Sequence, residues 1–241
     1  MSGLSALLFG ATGATGKHIL RELLSSEQYT KVGEYGRRVT DKAQLQHAEK
    51  LEQKVVDFDK IGEERVRDGD WDIVYIALGT TRQLAGSAKA FEKIDREYVV
   101  NAAKAAKSED ANRKQRLVYV SSGAANPSSF FPYTRSKGLT EQALANLGYD
   151  DVIIFHPGLL ADAERTDHRL AENIAGIITR QLSRFSNSFE IPVKTLGKAI
   201  RVAGTLGTAG LPEGTKTTAS WGGPSFTVVD NAAALKLAAS Q

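Results

Sequence analysis

Short apolar and β-branched runs alternate along this chain with longer stretches whose apolar residues recur at helical spacing. The runs predict strands over residues 6–9, 31–35, 53–56, 73–78, 117–120 and 152–155. The longer stretches predict helices over 17–25, 87–107 and 136–147, each with Leu, Ile, Val or Ala at helical spacing. Strand and helix in alternation make strand-helix-strand units, which assemble into a doubly wound parallel sheet of the α/β, Rossmann-like class. Past Pro157 the pattern loosens. Leu170, Ile174, Ile177, Ile178, Leu182 and Phe185 keep helical spacing with Arg180 and Arg184 between them, which predicts one more core-facing helix. Residues 204–224, rich in Gly, Thr and Pro, read as loops, and Asn231–Ala239 as a short closing helix. No internal repeat or linker divides the chain, so one domain is expected over 1–241, with a core over 1–158 and a small C-terminal extension over 159–241.

Composition narrows the functional classes. The 241 residues are 41% apolar and 24% charged, enough for a full core without a metal or disulfide staple. Cysteine is absent, which excludes disulfides, thiolate metal sites and a cysteine nucleophile. His18, His47 and His168 are scattered, and no metal is expected. A formal charge of +3, with acids and bases interspersed, gives no basic stripe for nucleic acid. No run approaches the length of a membrane span, and the apolar opening is followed at once by glycines. These features predict a soluble, intracellular protein.

The stretch "FGATGATGKH", residues 9–18, joins the first strand to the first helix. Gly10, Gly13 and Gly16 there leave backbone amides bare at the positive end of a helix, which attracts a diphosphate. One glycine makes the tight turn, one lets the backbone near the pyrophosphate, and one packs helix on strand. The stretch departs from a triphosphate-binding loop, which needs glycine and a hydroxyl residue where this chain has Ala11 and His18. At the tip of the second strand, where an NAD enzyme places an acid, stand Gly36, Arg37 and Arg38. Guanidinium forks suit a 2′-phosphate, so NADPH is the expected coenzyme, with Glu34 placed inside the strand. Asp57 and Phe58 follow the third strand and would meet the adenine, while Leu78, Gly79, Thr80 and Thr81 would line the crevice after the fourth.

Tyr133 and Lys137 stand four apart at the start of a predicted helix, on one face. An ammonium beside a phenol favours phenolate and suits the pair to proton transfer. Ser121 and Ser122 end the fifth strand, and a serine hydroxyl there would hold a substrate carbonyl oxygen. Serine, tyrosine and lysine together make a proton-relay set for hydride transfer.

Taken in order, "GATGATG", "GRR", "VVDFDK", "LGTTRQLAGSAKAFEKIDREYV", "VSSGA", the tyrosine-lysine pair and "HPGLL" resemble the atypical short-chain dehydrogenases of the HIV Tat-interacting protein and its fungal mitochondrial homologues. The resemblance covers most of residues 5–165. It implies an NADPH-dependent oxidoreductase with Ser122, Tyr133 and Lys137 as the reactive set. The implied coenzyme contacts are Gly10, Thr12, Gly13, Ala14, Thr15 and Gly16, then Arg37, Arg38, Asp57, Phe58, Leu78, Gly79, Thr80 and Thr81. Tyr133, Lys137, His156, Pro157 and Gly158 complete them. Two positions depart from the family: His156 replaces an arginine before the Pro-Gly pair, and Asp95 stands where many extended members have a helix asparagine. The substrate would be a carbonyl compound framed by 84–87, 130–132 and the segment after Gly158. The resemblance also implies regulatory protein partners, hence the alternative of an NADPH-loaded regulatory or scaffold protein. It allows a location on the mitochondrial outer face as well as in the cytoplasm.

Overall fold

The computed structural model describes residues 3–80, 82–162 and 190–240, Arg82 by its backbone alone. The helix expected around Leu170 to Phe185, and Thr81, lie outside the described residues. A sheet of eight strands runs β3-β2-β1-β4-β5-β6-β10-β9. Its members are β1 (Leu4–Phe9), β2 (Tyr29–Gly36), β3 (Leu51–Val55), β4 (Ile73–Ile76), β5 (Arg116–Val120), β6 (Asp151–His156), β9 (Thr217–Ala219) and β10 (Phe226–Asp230). All neighbours pair in parallel except β9, which is antiparallel to β10. A second small sheet pairs β7 (Leu159–Ala161) with β8 (Glu190–Pro192). Parallel strands need covered faces. One face packs Ile19, Leu20, Leu23 and Leu24 of α1 (Gly16–Ser25) with Leu196, Ile200 and Ala203 of the helix Val193–Gly210. The other face holds Trp71, Phe58 and Val99 with Leu144 of α5 (Pro132–Ala145).

Six strands stand where the hydrophobic pattern predicts them, each shifted by two residues or fewer at either end. The predicted helix 87–107 is divided: α2 (Arg82–Ala85) precedes it, and α3 (Ala88–Glu92) passes through a π-helical turn, Lys93–Glu97, into α4 (Tyr98–Ala106). The loop expected over 204–224 is a correction. The helix Val193–Gly210 runs to a kink at Gly207 (φ +68°), and β9 and β10 follow, adding two strands to the main sheet. Small residues put this helix close to its neighbours. A Cβ on Gly197 would lie 2.8 Å from the His18 Cβ, and one on Gly204 would strike the Tyr75 hydroxyl.

In the order 3-2-1-4-5-6 the sense of strand addition reverses between the parallel neighbours β1 and β4, and ligands of open α/β sheets bind in the crevice beyond the strand ends at such a switch point. The glycine turn, the tip of β2 and the end of β4 all meet there.

Candidate active site

The three glycines divide their tasks as backbone geometry requires. Gly10 ends β1 at φ +91°, a conformation that glycine adopts without steric cost, and a Cβ there would stand 2.7 Å from the Ala77 carbonyl. Gly13 donates its amide to the Gly10 carbonyl at 3.0 Å and closes the turn. A Cβ on Gly16, the first residue of α1, would collide with the Gly10 carbonyl, so this glycine sets how closely helix and strand approach. Thr15 is buried at the helix cap without a side-chain capping bond, and Thr12 is exposed on the turn, with Ala14 between them half-buried. Helix-terminal amides and a backbone that tolerates no side chain form a cradle that fits a diphosphate.

Gly10, Ala11, Thr12, Gly36, Arg37, Arg38, Phe58 and Leu78 line one concavity. Both arginines are exposed. Glu34 lies inside β2, 1% exposed, with its carboxylate taken up by protein donors. The Thr40 amide and hydroxyl reach one oxygen at 2.9 and 2.8 Å, and the Gln53 amide reaches the other at 2.7 Å. The Glu34 carboxylate is therefore spent inside the protein. Asp57 is exposed and accepts the Asp59 amide at 2.9 Å, which caps its own loop. Phe58 is core, edge-on to Phe9 and stacked on Tyr98, with one surface in the concavity.

Lys137 lies beneath the end of β4. A Cβ on Gly79 would stand 3.6 Å from its Nζ and 3.4 Å from Asp95 Oδ1. Lys137 and Asp95 are both buried and form an ion pair at 3.0 Å, and Lys137 also donates to the Tyr119 hydroxyl at 3.0 Å. Asp95 occupies the π-helical turn, a widened helical segment that recurs at functional sites. Burial alone would favour a neutral amine. Asp95, followed by Tyr119 and Tyr133, outweighs burial and holds the ammonium well above the ordinary lysine range. Burial raises the Tyr119 phenol in turn, with Lys137 opposing and Asp95 adding to the rise. Tyr133 is half-buried one turn before Lys137 on α5, its ring 6.0 Å from that of Phe91.

The serine pair separates by role. Ser121 donates to Glu141 Oε1, whereas Ser122 is buried at the strand end with its Oγ 3.5 Å from the Ala124 amide. Next to it, the Gly123 amide donates to the Pro157 carbonyl at 3.3 Å. His156 does not stand free: its Nε2 lies 2.8 Å from the same Glu141 oxygen. Gly158 donates its amide to Asn231 Oδ1 at 2.8 Å. Thr80 follows Gly79 at the rim, half-buried. Tyr119, Glu141 and Trp221 escaped the sequence reading. Glu141 alone carried a signal there, standing four residues beyond Lys137 on one helix face.

A family model described as NAD(P)H-binding matches residues 10–186. HTATIP2 of Rattus norvegicus is 33% identical over 202 residues, covering 83% of this chain and 81% of that protein. The mitochondrial protein fmp52 of Emericella nidulans is 35% identical over 185 residues, covering 76% of this chain and 78% of its own. Among solved structures, a short-chain dehydrogenase/reductase of Saccharomyces cerevisiae superposes with a TM-score of 0.62 at 16% identity, covering 88% of this chain and 93% of that one. A dTDP-glucose 4,6-dehydratase of Streptomyces venezuelae with NAD bound gives 0.60 at 16% identity, covering 84% and 72%. These two likenesses establish the Rossmann-like fold.

Proposed function

The chain belongs to the NAD(P)H-binding family that includes HTATIP2 and the fungal fmp52 proteins, and on that premise we propose that it is an NADPH-dependent oxidoreductase acting on a carbonyl substrate. The observation that carries this reading is the Lys137 ammonium, kept charged by Asp95 and Tyr119 beside Tyr133 and under Gly79, at the switch-point crevice. The glycine turn would hold the diphosphate, and Arg37 and Arg38 the 2′-phosphate. When bound, NADPH supplies the hydride for the carbonyl carbon. Tyr133 gives its phenolic proton to the substrate oxygen as that carbon becomes an alcohol carbon, Ser122 steadies the same oxygen, and Lys137 orients the nicotinamide ribose. The names of the fungal relatives support a place at mitochondria.

The test is Tyr133→Phe. Turnover on a carbonyl panel should fall by about a hundredfold or more, while calorimetry shows NADPH affinity within about threefold of wild type. Equal turnover by both proteins, on a substrate that wild type reduces, removes Tyr133 from the mechanism. A second reading, an NADPH-loaded partner-binding protein, draws on Phe130 and Phe131, which are 98% and 56% exposed just before Tyr133. Partner capture that needs NADPH, with no carbonyl reduced, would select it.

A further inference from the structure

We propose that Glu141 is a positioning residue, the hub that fixes the strand ends carrying Ser122 and Pro157–Gly158 against the helix carrying Tyr133 and Lys137. The proposal rests on reading Ser122, Tyr133 and Lys137 as the reactive set and Pro157–Gly158 as coenzyme contacts.

Glu141 is fully buried on α5, one turn beyond Lys137 and two beyond Tyr133, on the same helix face. Its carboxylate gathers three donors from three other segments. Ser121 Oγ and His156 Nε2 share Oε1, the latter at 2.8 Å, and Trp221 Nε1 reaches Oε2 at 2.9 Å. Two of these donors are immediate neighbours of site residues: Ser121 precedes Ser122, and His156 precedes Pro157. Trp221 sits in the turn between β9 and β10, where its carbonyl also accepts from Gln142 Nε2 at 2.5 Å. The Gly123 amide on the Pro157 carbonyl ties the two strand ends directly to each other.

A buried carboxylate is a poor way to glue a helix to a sheet, since an apolar side chain of similar volume often stabilises as well or better. What three directional contacts add is angular definition, and a reactive set tolerates little misplacement. His156 belongs to the same device. Its ring is turned to the hub, and the backbone it fixes leads into Pro157 and Gly158.

Glu141→Gln keeps the volume but sets an amide donor against either Trp221 or the Ser121 and His156 side. Hydrogen exchange, NADPH calorimetry and steady-state kinetics on the full chain would test it. Exchange should accelerate about tenfold or more at 121–125, 155–160 and 219–223, with the rest of the sheet unchanged. NADPH affinity should stay within about threefold, and kcat should fall about tenfold or more while KM holds within threefold. Unchanged exchange at those segments, or accelerated exchange with undiminished kcat, overturns the proposal. Should that variant fail to fold, His156→Gln must accelerate 121–125 as well as 155–160; acceleration at its own strand end alone overturns it. Failure of the reactive-set reading shows separately, as equal turnover by wild type and Tyr133→Phe. Should wild type reduce nothing, the exchange pattern alone decides whether Glu141 orders the three segments.

Discussion

At the scale of single residues, the proposed preference for NADPH turns on side chains a few positions apart. Glu34 is buried and saturated by Thr40 and Gln53, whereas Arg37 and Arg38 stand exposed at the rim of the concavity. Replacing both arginines with alanine should weaken NADPH by about tenfold to a hundredfold and leave NADH affinity unchanged, as read by calorimetry with each form. That contrast was legible in the sequence, because the predicted strand ends just before the Gly-Arg-Arg run, which leaves Glu34 inside β2 and the arginines past its end. The Asp95–Lys137 pair was not: a helical residue and one much later in the chain meet only once the sheet brings their helices together. Removing one partner of a buried pair is costly, so Asp95→Asn should destabilise the protein by about 3 kcal/mol in denaturant titration at neutral pH. The sign of the pH dependence follows from the raised Lys137 value. The pair's contribution is complete below the ordinary lysine range and disappears only as pH rises through the folded-state value. The stability gap between Asp95→Asn and wild type should therefore close as pH rises into that alkaline range.

Among elements, the helix Val193–Gly210 shows why local signals failed. Its glycines argue against helix one by one, and together they let it lie against α1, Tyr75 and Arg116. Packing decided what propensity could not. β10 was missed for a related reason, since a short apolar run after a Gly-Pro turn carries little periodicity of its own, and its pairing with β6 gives it its place. A half-buried junction ties these elements together. Arg116 of β5 pairs with Asp151 of β6 at 2.7 Å, and Asp151 accepts the Thr208 amide and hydroxyl at 2.9 and 2.6 Å. Burial pushes Asp151 upward, but the Thr208 bonds and Arg116 outweigh it and hold the carboxyl below its ordinary value. Its stabilising contribution is therefore present above the ordinary aspartate range and is lost as pH falls through the depressed value. Asp151→Asn should cost about 2 kcal/mol in urea at neutral pH, and the gap to wild type should close in strong acid.

For the whole molecule, both walls of the crevice belong to one sheet, so a coenzyme that binds the folded state stabilises the entire domain. NADPH at about a hundred times its dissociation constant should add about 2.7 kcal/mol and raise the melting temperature by about 5–10 °C, checked by calorimetric scanning. The class of fold was readable because parallel strands buried on both faces leave continuous apolar runs, as β1, β4, β5 and β6 do. What could not be read is the closure of the sheet. From β1 the strands add outward as they are synthesised, β2 and β3 to one side, β4, β5 and β6 to the other. Among the described strands, only β10 must slip between a strand already in place and β9, made just before it. A nascent chain therefore carries a bare parallel edge at β6 until residues 226–230 leave the ribosome. That interval is when a chaperone, or a neighbouring chain, has its opening.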